Sequence, residues 1–136
     1  MKKILIILLF ISLSSISMAQ MTHYSKYNKI EMEIFRNGEL IGYNYYFFTR
    51  KGNEVIISNK IKFSVKLLGT TIFQVEGYSE EKYFKNQLIS YNSKTLQNNK
   101  EKFVNLIFDK DKNKFNIKGS SYSGEASINN IVSITS

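Results

Sequence analysis

Asn37-Gly38 sits between two runs in which apolar and polar residues alternate, one before it from Lys29 to Arg36 and one after it from Glu39 to Phe47. Asn-Gly is the strongest short hairpin signal, because a two-residue type I′ turn needs positive φ at both central positions and these residues tolerate it at least cost. The turn therefore predicts a register. With Arg36 opposite Glu39, the facing pairs are Ile34 with Ile41, Met32 with Tyr43 and Ile30 with Tyr45, all apolar. The other face pairs Glu33 with Gly42, Glu31 with Asn44 and Lys29 with Tyr46, which is polar or amphipathic. That division belongs to an antiparallel sheet with one face wet.

The same reading extends along the chain. A turn at Lys51-Gly52-Asn53, closed with Arg50 opposite Glu54, puts Val55, Ile57, Ile61, Phe63, Val65 and Leu67 on the face of Phe47, Tyr45, Tyr43 and Ile41. Lys60, Lys62 and Lys66 fall on the outer face, and most aromatics on the face away from them. After Gly69 a three-residue turn sets Val65 against Phe73, Phe63 against Val75, Lys62 against Glu76 and Ser64 against Gln74. Tyr78 to Phe84 then turns at Asn86-Gln87 and returns as Leu88 to Thr95, with Phe84 opposite Ile89 and Lys82 opposite Tyr91. This moves the apolar positions from odd to even, which a bulge near Gly77 would permit. Two further strands, Phe103 to Phe108 and Lys114 to Lys118, flank Asp109 to Asn113, and the small polar tail reads as loop with one last strand. No helical period of any length interrupts the pattern. The expected fold is all-β, an antiparallel meander of about seven or eight strands forming a strongly twisted open sheet or partial barrel.

Residues 1–19, MKKILIILLFISLSSISMA, have Lys2 and Lys3 before an apolar run and a small-x-small ending at Ser17-Met18-Ala19. This reads as a signal peptide. Its apolar core, Ile4 to Leu13, is half the roughly 20 residues a spanning helix needs, so no transmembrane anchor is expected after its removal. Residues 20–136 then form a single all-β domain. The absence of cysteine excludes a disulfide scaffold and a thiolate metal site. The net charge of +8 favours acidic partners in principle, but the lysines of Asn59 to Leu67 alternate with apolar residues and one faces Glu76. They read as the solvated half of a strand. Nucleic acid is not an expected partner, because export removes it and the aromatics fall on the other face.

Phe35-Arg36-Asn37-Gly38 with Ile41-Gly42, then Val65-Lys66-Leu67-Leu68, then Glu81-x-Tyr83 with Leu88 and Ser93 resemble segments of an uncharacterised exported bacterial family, domain-of-unknown-function family 6134. The resemblance covers roughly residues 30 to 96. It implies a bacterial protein in the periplasm or secreted. It implies also that Gly77 stands where relatives carry a histidine and Asn86 where they carry a turn glycine. Relatives continue past a pair like Thr135-Ser136 into further strands, so the resemblance implies a C-terminally truncated member.

Catalytic arrangements fail one by one. His23 is the sole histidine and has no clustered carboxylates beside it. Ser79-Glu80-Glu81-Lys82 spells S-x-x-K without a helix start or companion motifs. Asp109-x-Asp111-x-Asn113 begins like a calcium loop, but Lys114 and Ser120 occupy the glycine and glutamate positions. Glu31 and Glu33 share a face, but it is the wet one, without the burial an acid catalyst needs. No catalytic residue, metal site or cofactor is expected. What remains is the apolar face, where Tyr43, Tyr45, Phe47, Ile61, Phe63 and Phe73, with Ile57, Val65 and Val75, line either a packed core or a hydrophobic ligand site. The leading expectation is a non-enzymatic binding module or carrier for an apolar or lipid-like envelope ligand. The runner-up is an envelope structural or interaction protein with a protein partner and no small molecule.

Overall fold

The computed structural model describes residues 26–127. The expected signal peptide of residues 1–19, His23 and the tail beyond Ser127 lie outside the described residues. Eight strands follow one another: β1 (Lys29–Arg36), β2 (Glu39–Lys51), β3 (Glu54–Leu67), β4 (Thr70–Phe84), β5 (Gln87–Gln97), β6 (Lys100–Asp109), β7 (Lys114–Gly119) and β8 (Ser123–Ser127). Each pairs antiparallel with the next in a single sheet of order β1 to β8. The all-β meander expected from the alternation is the fold, in its open-sheet form.

Five of the seven connections are two-residue turns. Asn37-Gly38, Leu68-Gly69, Lys85-Asn86 and Asn98-Asn99 each have positive φ at both positions, the type I′ geometry whose twist matches the flanking strands. Gly52 has φ 60 and Asn53 does not share the positive region, as in a type II′ turn. Between β6 and β7, Asp109 Oδ1 accepts hydrogen bonds from the backbone N–H of Asp111 at 3.0 Å and of Lys112 at 3.2 Å. The carboxylate thus holds a turn instead of an ion.

Bulges decide the register. Arg36 faces Glu39 as expected, but the ladder shifts between Phe35 and Ile34, so that Ile34 faces Gly42 and Ile41 is left as the extra residue. Beyond it Met32 faces Asn44, Ile30 faces Tyr46, Glu33 faces Tyr43 and Glu31 faces Tyr45. Every pair predicted past the turn is displaced by one, and a one-residue slip sends each side chain to the opposite face. At the next turn Lys51, not Arg50, faces Glu54. The β3–β4 hairpin has the predicted pairs Val65–Phe73, Phe63–Val75, Lys62–Glu76 and Ser64–Gln74. They are reached by a two-residue turn plus a bulge at Ile72, where a three-residue turn was expected. In the β4–β5 hairpin Phe84 faces Gln87 and Lys82 faces Ser90, correcting the expected partners Ile89 and Tyr91. The irregularity lies at Lys82/Tyr83 and not at Gly77, which directly faces Ile61. Odd positions therefore keep one face of β4 from Phe73 to Tyr83.

The registers define two faces. One, the apolar face, carries Ile30, Met32 and Ile34 of β1, Tyr46 and Phe48 of β2, Val55 to Val65 at odd positions of β3, Phe73 to Tyr83 at odd positions of β4, Tyr91 of β5, Leu106 and Phe108 of β6 and Phe115 and Ile117 of β7. The other, the charged face, carries the lysines. Its ion pairs include Lys62 with Glu76 at 3.3 Å and Lys94 with Glu101 at 2.8 Å, both well exposed, where such pairs contribute little.

Candidate functional site

Tyr43, Tyr45 and Phe47 are on the charged face, not on the apolar face with the other predicted site residues. Tyr43 faces Lys62 and Tyr45 faces Lys60, while Ile61 faces Asn44 and Phe63 faces Gly42. The cause is the turn at Gly52-Asn53, one residue tighter than expected, which shifts the whole of β2 by one position against β3. The sequence Tyr43-Asn44-Tyr45-Tyr46-Phe47-Phe48 has aromatics at both parities, so alternation alone could not choose. On the charged face the Tyr43 and Tyr45 rings are parallel to within 6° with centroids 6.0 Å apart. The Lys29 ammonium, which also pairs with Glu31, sits 5.5 Å from the Tyr45 ring centre and 5.6 Å from that of Phe47. Aromatics and lysines therefore share a face here, contrary to expectation, and the argument against a nucleic-acid partner rests on export alone.

Ile61, Phe63 and Phe73 do come together on the apolar face, in its half toward the rim of the sheet formed by the turns at Asn37-Gly38, Leu68-Gly69 and Asn98-Asn99. The Phe63 and Phe73 ring centres are 6.0 Å apart and tilted by 45°, an edge-to-face approach that suits aromatic quadrupoles. Val65 and Val75 pair with Phe73 and Phe63 respectively. All five side chains are partly exposed. Their lateral neighbours are small: a Cβ at Gly42 would lie 2.4 Å from that of Phe63, and one at Gly77 would lie 3.0 Å from Ile61 Cγ2. These two glycines let the large side chains lie flat across the neighbouring strand.

Toward the middle the face turns polar. Asn59 Nδ2 donates to Asn44 Oδ1 at 2.5 Å and to the Tyr45 carbonyl at 3.1 Å, and Ser79 faces Ser93. The strand period puts Ser79 on this face and Lys82 on the other, so the S-x-x-K string brings no base to the serine.

The far half, near the turns at Gly52-Asn53, Lys85-Asn86 and Lys110 to Asn113, holds every buried large side chain among the described residues: Ile57 at 7%, Tyr83 at 4% and Phe115 at 1% exposure. The Phe108 and Phe115 ring centres are 5.2 Å apart and their planes tilted by 52°. Glu81 is buried as well, at 7%, and accepts a hydrogen bond of 2.5 Å from the Tyr83 hydroxyl. A buried carboxylate is uncommon and needs such donors. Glu81, Tyr83 and Phe115 were absent from the predicted site, although the Glu81-x-Tyr83 spacing places both on one face of a strand and could have suggested the pair.

A shallow cleft of about 260 Å³ lies apart from these residues, between Lys102, Val104, Ile117 and Tyr122. The Tyr122 ring folds over Gly124, close enough that any side chain at that position would strike it. No group of His, Asp or Glu side chains among the described residues is placed to hold a metal ion.

The model of a domain of unknown function, DUF6134, matches residues 32–133 of the chain. No curated protein and no solved structure matches it.

Proposed function

Since this chain belongs to the DUF6134 family, whose description names no activity, its role must come from its own residues, and we propose that it is an exported, non-enzymatic binding module or carrier for an apolar or lipid-like envelope molecule. The observation that carries this reading is the contrast within one face. Ile61, Phe63, Val65, Phe73 and Val75 form a contiguous apolar surface that stays half-exposed, while the buried large apolar side chains, Ile57, Tyr83 and Phe115, all lie in the other half of the same face. An apolar cluster that the fold leaves partly in water is a natural floor for an apolar ligand, because covering it releases ordered water at roughly 25 cal/mol per Å². The polar middle, Asn44, Asn59, Ser79 and Ser93, supplies hydrogen-bonding groups beside that floor, where a ligand's head group would need them. Export is supported by the leader at residues 1–19.

Mass spectrometry under native and then denaturing conditions, on protein expressed with its leader and purified without detergent, tests this. The expected result is a bound apolar mass that is lost on denaturation and depleted in Phe63→Ala. A clean chain mass would sink the ligand reading and favour a protein partner in the envelope.

A further inference from the structure

The hairpin of β3 and β4 is longer than its neighbours. β2 pairs with β3 only as far as Phe63, and β5 pairs with β4 only as far as Val75, where Asn98 and Asn99 hydrogen-bond to Gln74 and end the contact. Residues 64–73 thus pair only with one another, a two-stranded ribbon that runs about four residues, roughly 13 Å, past the end of β5 and does not pair with the start of β2, where Glu39 and Leu40 pair with β1.

Its tip is apolar. Leu68 is 99% exposed, Leu67 61% and Ile72 53%. The other two-residue turns in the sheet carry Asn, Gly or Lys at their centres, residues that belong in water. Leu68 also has φ 52, a left-handed conformation that disfavours a side chain with a Cβ. A leucine held there, against both solvation and backbone preference, is the kind of outlier from which a function can be argued. From Asn59 to Val75 there are three lysines, Lys60, Lys62 and Lys66, and no acidic residue. Among the described residues Lys60 and Lys66 make no ion pair, and Thr70 and Thr71 complete a polar collar beside Leu67 and Lys66.

We propose that this tip is a membrane-docking finger, with Leu67 and Leu68 entering the interface of an anionic lipid bilayer, Ile72 supporting them from behind and Lys66 meeting its head groups. Leu68 stands at the extremity, Leu67 is level with Thr70, Lys66 with Thr71, and Ile72 comes next, so aliphatic groups lead and an ammonium group whose stem can reach phosphate lies one pair behind them. A protein groove is the weaker fit. Three aliphatic side chains on a convex tip supply only a fraction of the roughly 800 Å² per partner that a standard interface uses, whereas bilayer association needs a few apolar side chains reinforced by positive charge. The inference does not depend on whether the half-open apolar face carries a ligand.

The chain has no tryptophan, so a single indole can report insertion at a chosen place in the full chain, leader included. Leu68→Trp is mixed with vesicles of phosphatidylcholine and brominated phosphatidylglycerol in equal parts, and compared with Lys85→Trp at a turn on the opposite rim. The expected result is a blue shift with strong quenching for Leu68→Trp and neither for Lys85→Trp. Adding Lys66→Glu to Leu68→Trp is expected to weaken the quenching by about tenfold in lipid concentration. No quenching at either position, equal quenching at both, or quenching indifferent to Lys66→Glu would overturn the proposal. Leu67→Trp serves as the second tip reporter should Leu68→Trp fail to fold by circular dichroism.

Discussion

The two halves of the apolar face are built from the same strands and differ in what flanks each large side chain. Near the turns at Lys85-Asn86 and Lys110 to Asn113, aromatic residues face aromatic or aliphatic residues strand after strand: Val55 with Tyr83, Phe108 with Phe115, Leu106 with Ile117. Near Leu68-Gly69 the partners of Phe63 and Ile61 across β2 and β4 include Gly42, Asn44 and Gly77, and Val65 and Phe73 stand on a ribbon with no strand on either side. Lateral cover in a sheet comes from cross-strand neighbours. The first half therefore closes over Ile57, Tyr83 and Phe115, and the second buries none of its large side chains to that depth. One half serves stability and the other is free to serve binding.

Substitutions can break this division. The largest effect belongs to Phe115→Ala, which empties the most deeply buried ring of the described residues. It should cost about 3–5 kcal/mol, enough to unfold a domain of this size near ambient temperature, as read by denaturant titration. Tyr83→Phe removes the hydroxyl that donates to Glu81 and leaves a buried carboxylate with one donor fewer. A loss of about 1–3 kcal/mol is expected from the same titration, and Tyr83→Phe with Glu81→Gln should recover part of it. Phe63→Ala, by contrast, removes a ring that is already partly solvated and should cost no more than about 1–2 kcal/mol. If Phe63→Ala were as damaging as Phe115→Ala, the two halves would be one core and the binding role of the open half would lose its basis.

The smallest effect sharpens the comparison outside the core. At the edge beyond Phe115, Glu125 accepts hydrogen bonds from Lys112 at 3.0 Å and Lys114 at 3.3 Å. These bonds, with the charge of the two ammonium groups, hold its carboxyl below the ordinary value of 4.5. The Lys112 ammonium is raised above 10.5, chiefly by its hydrogen bond to Glu125. For a depressed carboxyl the stabilisation is present above the unfolded value and is lost as pH falls through the folded one. For a raised ammonium it is present below the unfolded value and is lost as pH rises through the folded one. The cluster is fully exposed, so Glu125→Gln should change stability slightly at neutral pH and not at all below the carboxylate range. Carboxyl chemical shifts across an acid titration measure the Glu125 value directly.

Alternation and turn chemistry determined the class of fold, because period two and Asn-Gly have no other economical solution. They also located the β3–β4 pairing from Lys62–Glu76 to Val65–Phe73, where apolar and charged residues divide cleanly by parity. The face of Tyr43, Tyr45 and Phe47 was not legible in the same way. Residues 43–48 are aromatic at both parities except for Asn44, so either face could have taken them, and the choice fell to the length of the turn at Gly52-Asn53. A bulge has no local signature of its own. The one at Ile41 decides only how β1 sits against β2, whereas the two-residue turn sets Phe63 opposite Gly42, a pairing between residues far apart in the chain. The depth of burial was hidden for the same reason. It depends on the neighbours that pairing brings beside a residue, which is why Phe115, one aromatic among many in the sequence, becomes the centre of the closed half, and Leu68, written like any core leucine, stands in the solvent.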